Sequence, residues 1–187
     1  MNTPLPLSVF DEALCFVLAR EGGYADNPAD HGGATNMGVT QSTYDAFRNG
    51  SGLAPRPVIN ITPREVRTIY WGGYWRPAAC DAIAGTRPSL ALVHFDAAVN
   101  QGVGEAERML QRALGVTADG AIGPSTMAAV AVCNEIAAVG LLLIERARVY
   151  RAIVEKHPED AQFLPGWLAR LRWCARAAGV AITSTFS

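Results

Sequence analysis

Lysine is nearly missing from this chain. Lys156 is the only one among 16 basic residues, and the rest are arginine, which reads as genome composition. Charge of either sign is sparse, at 18% of residues, and it is balanced: residues 1–93 carry eight acids and seven bases, residues 94–187 nine and nine. No basic field for nucleic acid results. Cysteine is scarce too. Cys15, Cys80, Cys133 and Cys174 form no CxxC pair, so they read as small buried hydrophobes instead of disulfides or ligands. His31, His94 and His157 are scattered, without an HExxH or Cys/His cluster, which excludes a zinc amidase or peptidase and leaves no metal or cofactor expected. Residues 1–7 lack a basic residue, and Asp11 and Glu12 break the apolar run that follows. Neither a signal peptide nor a membrane span is expected, and synthesis in the cytoplasm is. No long internal repeat is present.

What is there is a large apolar fraction, half of 187 residues, enough for one compact domain or two small lobes. Its spacing is mostly helical. Phe10, Ala13, Leu14, Val17 and Leu18 mark one face of a first helix that Ser8 and Asp11 open and Gly22 closes. Residues 24–40 are rich in Gly, Asn, Asp, Pro and Thr, which suits turns and a short hairpin. A short helix is expected over 40–47 and a loop over 50–60. Thr62-Pro63-Arg64-Glu65 is a capping-box helix start. Further helices are expected over 77–83, over 89–100 with Ser89 as cap, and over 105–114, 124–132, 135–156 and 165–178. The one over 89–100 has almost no polar face and reads as a buried central helix.

Glu21 follows Val17 by four residues and Leu18 by three, so a continued helix extends the apolar stripe to its carboxylate. Apolar surroundings and the helix C-terminus both disfavour the charged form, and a carboxyl that keeps its proton is the general acid that glycoside cleavage needs. Asp30, nine residues on, is the candidate second carboxylate; Asp26 competes for that role, and either can simply cap a turn. Thr35 is placed to hold a water. Tyr24, Trp71 and Tyr74, with Tyr70 and Trp75, supply rings that stack on sugars or fill the core. Asn36, together with Asn100 and Gln101 at the end of the buried helix, offers amides to N-acetyl groups.

These residues resemble a bacteriophage-type muramidase of glycoside hydrolase family 108. The first block comprises Glu21-Gly22-Gly23-Tyr24, Asn27-Pro28 with Asp30, residues 32–40 and the aromatic segment 70–75. The second resembles the peptidoglycan-binding region that follows in that family: residues 95–100 with Gly102, Leu110-Gln111, residues 114–116, Asp119-Gly120, Ile122-Gly123-Pro124 with Thr126, and Gly166-Trp167. The resemblance spans about residues 8 to 173. It implies a mainly α, lysozyme-like fold with a small β-hairpin after the first helix, and cleavage of the β-1,4 bond between N-acetylmuramic acid and N-acetylglucosamine. It implies Glu21 as the acid, with Asp30 at the phage-lysozyme spacing and Thr35 one residue short of the commonest one.

The expectation is therefore an endolysin-like muramidase without cofactor, with a catalytic lobe over 8–92 and a peptidoglycan-binding lobe over 93–178 packed as one globule. Its partner is the peptidoglycan strand. Neither nucleic acid nor stable membrane insertion is expected. The chain acts as a monomer on periplasmic peptidoglycan after a holin or other delivery system lets it through. The rivals are a lytic transglycosylase on the same bond and a non-catalytic peptidoglycan-binding component.

Overall fold

Helix α1 (Val9–Leu18) begins where Ser8 Oγ accepts from Asp11 N at 3.2 Å and donates to Asp11 Oδ2 at 2.6 Å. Its buried face is Phe10, Ala13, Leu14 and Val17, the stripe the periodicity marks. The helix ends at Leu18, earlier than the Gly22 expected; Ala19 and Arg20 form a turn, and the Arg20 guanidinium folds back onto the Phe16 carbonyl and ring. The computed structural model describes residues 8–20, 23–25 and 33–181. Its chain divides into two compact units, Met1–Gly73 and Tyr74–Ser187.

In the first unit, strands β1 (Thr35–Asn36) and β2 (Val39–Thr40) pair antiparallel, Thr35 with Thr40 and Asn36 with Val39. The turn between them puts Met37 at φ 51° and Gly38 at φ 73°. Positive φ at both central positions matches the right-handed twist of the strands, at a cost for the non-glycine residue. Thr40 then caps α2 (Gln41–Gly50), accepting from Thr43 N. A 3-10 turn (Val58–Asn60) leads to α3 (Pro63–Tyr70), whose expected capping box is complete: Thr62 and Glu65 each accept the other's main-chain N–H. Glu65 is also a hub. It meets Arg48 at 2.8 Å, Arg56, and the Tyr44 hydroxyl at 3.1 Å. Burial pushes its carboxyl upward, but the Thr62, Tyr44 and Arg56 partners prevail and hold it below the ordinary value.

A π-helical segment (Trp71–Trp75) follows, and the division between the units falls inside it. The 92/93 division expected from sequence falls within a continuous helix. In the second unit α4 (Cys80–Ala84) precedes α5 (Pro88–Gln101), and α6 (Val103–Ala113), α7 (Pro124–Val132), α8 (Glu135–Lys156), a 3-10 segment (Pro158–Phe163) and α9 (Leu164–Ala177) complete it. Helix α5 is the hub and packs on α4, α6, α8 and α9. Leu90, Ala91, Val93, Phe95, Ala97 and Ala98 are all fully buried. Each large one contributes about 1.5–3 kcal/mol by leaving water. Ser89 does not cap this helix. Pro88 occupies the first turn, and Glu135 Oε1, at the start of α8, accepts from Ser89 N at 2.7 Å and Leu90 N at 3.1 Å. All four cysteines are free; Cys80 and Cys174 are buried as expected, whereas Cys15 is exposed. Among the described residues, no helix is long and apolar enough to cross a membrane, and no group of His, Cys, Asp and Glu is arranged to hold a metal.

Candidate active site

Glu21, Asp26 and Asp30 lie outside the described residues. What the structure gives is how the chain on either side of them is held. Ala25 and Thr35 form an isolated antiparallel bridge, Ala25 N to Thr35 O at 2.9 Å and Thr35 N to Ala25 O at 2.8 Å. The intervening chain thus joins two points fixed against each other. On the other side, α1 stops at Leu18, and Ala19 and Arg20 form the turn that follows it.

The hairpin that carries Thr35 is itself pinned at three places. Asn36 Nδ2 donates to Val58 O at 3.3 Å and Ile59 O at 3.1 Å, and Tyr70 Oη donates to Met37 O at 3.2 Å. Gln41 N donates to Ala34 O at 2.8 Å. Gln41 also locks the loop before the 3-10 turn: its Oε1 accepts from Val58 N at 2.7 Å and its Nε2 donates to Arg56 O at 3.1 Å. A two-residue strand pair is too short to be stable by its own ladder, so these side-chain bonds are what fix it.

Among the residues singled out from sequence, Thr35 is half-buried, and its hydroxyl donates to Gly33 O at 3.3 Å, which leaves its oxygen lone pairs to accept. Asn36 spends its amide protons on the 3-10 turn. Tyr24 is 45% exposed. Trp71 is half-buried with its ring edge-on to Phe10 at 4.9 Å. Tyr74 is half-buried in the second unit. Tyr70 and Trp75 are core residues, and Trp75 Nε1 donates to Asp81 Oδ1 at 2.7 Å.

Asn100 and Gln101, also in the second unit, end α5 above a buried ionic cluster that sequence reasoning missed. Asp96 and Arg146 are both fully buried and meet at 2.8 Å; Arg170 reaches the other Asp96 oxygen at 2.9 Å. Arg146 Nε donates to Gln101 Oε1 at 2.8 Å, and the Tyr150 hydroxyl donates to Asn100 Oδ1. Gln101 Nε2 is buried without a partner among the described residues, whereas Asn100 is exposed. Burial acts to raise the Asp96 pKa, but the two guanidinium groups overcome it and keep the carboxyl below its usual range. His94, one turn away from Ala98 on the same helix, is sealed in the core, with Nε2 at 3.1 Å from Ala78 O and Nδ1 unpartnered among the described residues. Burial, helped by the Arg146 charge, pushes it down to about 4. The only sequence signal for these residues is polarity on an otherwise apolar helix.

Residues 14–102 match the sequence profile of glycosyl hydrolase 108, and residues 105–172 match a second described as a predicted peptidoglycan domain. No curated protein matches the chain. Among solved structures, the chain is similar to one titled "Structure of Brucella abortus SagA", with 32% sequence identity and a TM-score of 0.73, over 94% of this chain and 97% of that one.

Proposed function

The chain belongs to the glycosyl hydrolase 108 family, as a glycoside hydrolase of the muramidase type acting on peptidoglycan, and we propose that it hydrolyses the β-1,4 bond between N-acetylmuramic acid and N-acetylglucosamine. The observation that carries this reading is the order of the two family matches. The hydrolase profile runs first, across Glu21 and Asp30, and the peptidoglycan domain follows it.

Glu21 is the general acid that protonates the glycosidic oxygen. Asp30 steadies the oxocarbenium-like transition state or activates water. Thr35 accepts a hydrogen bond from that water through the lone pairs its own bond to Gly33 leaves open. Tyr24 and Trp71, with Tyr74, Asn36, Asn100 and Gln101, are the candidate sugar contacts. The pinned hairpin and the Ala25–Thr35 bridge support this assignment, because a general acid and its partner need chain that holds geometry to a fraction of an ångström. Residues 8–92 do the cutting and residues 93–178 hold the wall. For its setting we propose a phage or prophage lysis enzyme, working as a monomer and delivered by a holin-type pore. The bacteriophage-like block at Glu21-Gly22-Gly23-Tyr24 supports that setting.

The test is mass spectrometry of products from defined peptidoglycan. Hydrolysis predicts reducing N-acetylmuramic acid ends with water incorporated. Anhydro ends would make the protein a transglycosylase, reducing N-acetylglucosamine ends would move the cut to the other bond, and wall binding without soluble product would make it a binding component.

A further inference from the structure

One sequence block plays no part in the cleavage reading: Gln111, Asp119-Gly120, Gly123-Pro124 and Thr126. In the second unit Gln111, Asp119, Gly123, Pro124 and Thr126 line one surface cavity of about 350 Å³. Gln111 lines it, only 1% exposed, and its amide is fully engaged. Nε2 stands 2.7 Å from Asp119 Oδ1, 3.0 Å from Ala121 O and 3.2 Å from Thr126 Oγ1 and shares its two protons among them, while Oε1 accepts from Gly120 N at 2.8 Å. A buried amide bonded on every side fixes the loop around it. Gly120, at φ +79°, has the Arg108 guanidinium 3.2–3.4 Å from where a Cβ would stand, so a side chain there would strain the backbone and displace that guanidinium.

The chemistry of the wall is one-sided. Asp119 takes both the Gln111 amide and Ala121 N, at 2.9 Å, on the same oxygen, Oδ1; Oδ2 takes neither. Those bonds hold the carboxyl below its ordinary value. Thr117 and Ser125 add hydroxyl oxygens. Among the described residues that line the cavity there is no cation and no aromatic ring. Outside the lining, Glu107 adds negative charge near Asp119 and Arg108 offsets part of it. A carboxylate with neighbouring hydroxyl acceptors suits a charged N–H donor. A sugar ring finds no aromatic face to stack on here.

We propose that this cavity binds the free ammonium group of a peptidoglycan stem peptide, carried by the diamino acid of an uncrosslinked stem, with Asp119 as the acceptor. The region that matches the peptidoglycan domain then reads the peptide, while the hydrolase region, which holds the candidate sugar contacts, handles the glycan. This rests on peptidoglycan being the substrate, and it adds a site for its peptide portion.

The experiment is calorimetric titration of three probes into the Glu21→Gln protein: a stem tripeptide ending in a diamino acid, the same peptide with that amine acetylated, and a peptide-free glycan oligomer. The tripeptide is expected to bind at least tenfold more tightly than its acetylated form. Asp119→Asn, which keeps an acceptor for Gln111 and Ala121, and Ser125→Ala, which leaves the loop bonds intact, should each weaken it, the first by tenfold or more. Both variants in the Glu21-intact protein should cut peptide-free glycan at the normal rate. Equal binding of the acetylated peptide, no effect of either variant, or competition by peptide-free glycan would overturn the proposal. Because binding is read without turnover, loss of this site and loss of the cleavage reading are separable: glycan cut without peptide binding refutes the first alone, and peptide binding without any cleavage refutes the second alone.

Discussion

Around the hairpin of Met1–Gly73 the polar bonds run from side chains to main-chain carbonyls and tie short, irregular pieces together: Asn36 to Val58 and Ile59, Tyr70 to Met37, Gln41 to Arg56. In Tyr74–Ser187 they run between charges sealed inside a helical core: Asp96 to Arg146 and Arg170, beside a neutral His94. The first arrangement holds a small irregular segment in place at modest cost. The second stakes much more on each group, because a buried charge that loses its partner has no water to turn to. Local pins thus suit a site that carries chemistry, and sealed charge suits a rigid frame.

The strongest way to break this contrast is to remove the carboxylate at its centre. Asp96→Ala leaves Arg146 buried and uncompensated, and should lower stability by about 3–5 kcal/mol. Denaturant unfolding checks it; a shift under 1 kcal/mol would mean the cluster is not the anchor described. The next effect comes from pH. The folded pKa of His94, about 4, lies below its unfolded value of about 6.5, so the unfolded chain binds more protons between the two. Stability should therefore fall as pH drops from about 6.5 to about 4, by up to about 3 kcal/mol, and His94→Gln should flatten that slope. Asp96 acts lower still: its depressed folded pKa contributes stability above the unfolded value of about 3.9, lost as pH falls further.

Changes in the first unit should be smaller. Asn36→Ala leaves two carbonyls without their side-chain donor and should cost about 1–2 kcal/mol. Glycan cleavage should fall by more than the stability loss explains, since the hairpin holds Thr35. Smallest, and of opposite sign, is Met37→Gly. Relief of the left-handed backbone, about 1–2 kcal/mol, outweighs the chain-entropy cost of glycine, about 0.5–1 kcal/mol, so thermal stability should rise slightly. A fall in melting temperature would show that the Met37 side chain matters more than its backbone.

Much of the fold was legible because its signals are local. Helix α8 runs over Glu135–Lys156 and the Thr62–Glu65 box opens α3, both as read from sequence. The apolar wrap of 89–100 correctly marked a buried helix. What could not be read was partnership over distance. Arg146 stands 50 residues from Asp96, and Glu135 caps a helix 45 and 46 residues before it, so no window of sequence contains either pair. The same holds for the candidate site. Asn36, Asn100 and Gln101 read as free amides for sugar, yet each has a structural bond in the folded chain. The early end of α1 follows from the Arg20 turn, which periodicity does not register.

The most direct measurement is the cleavage rate of Glu21→Gln on purified peptidoglycan, taken with its unfolding curve. The account predicts a loss of about 10²–10⁴-fold with unfolding unchanged, because the amide keeps the shape and gives up the proton. A variant that clears the wall at the wild-type rate would contradict it.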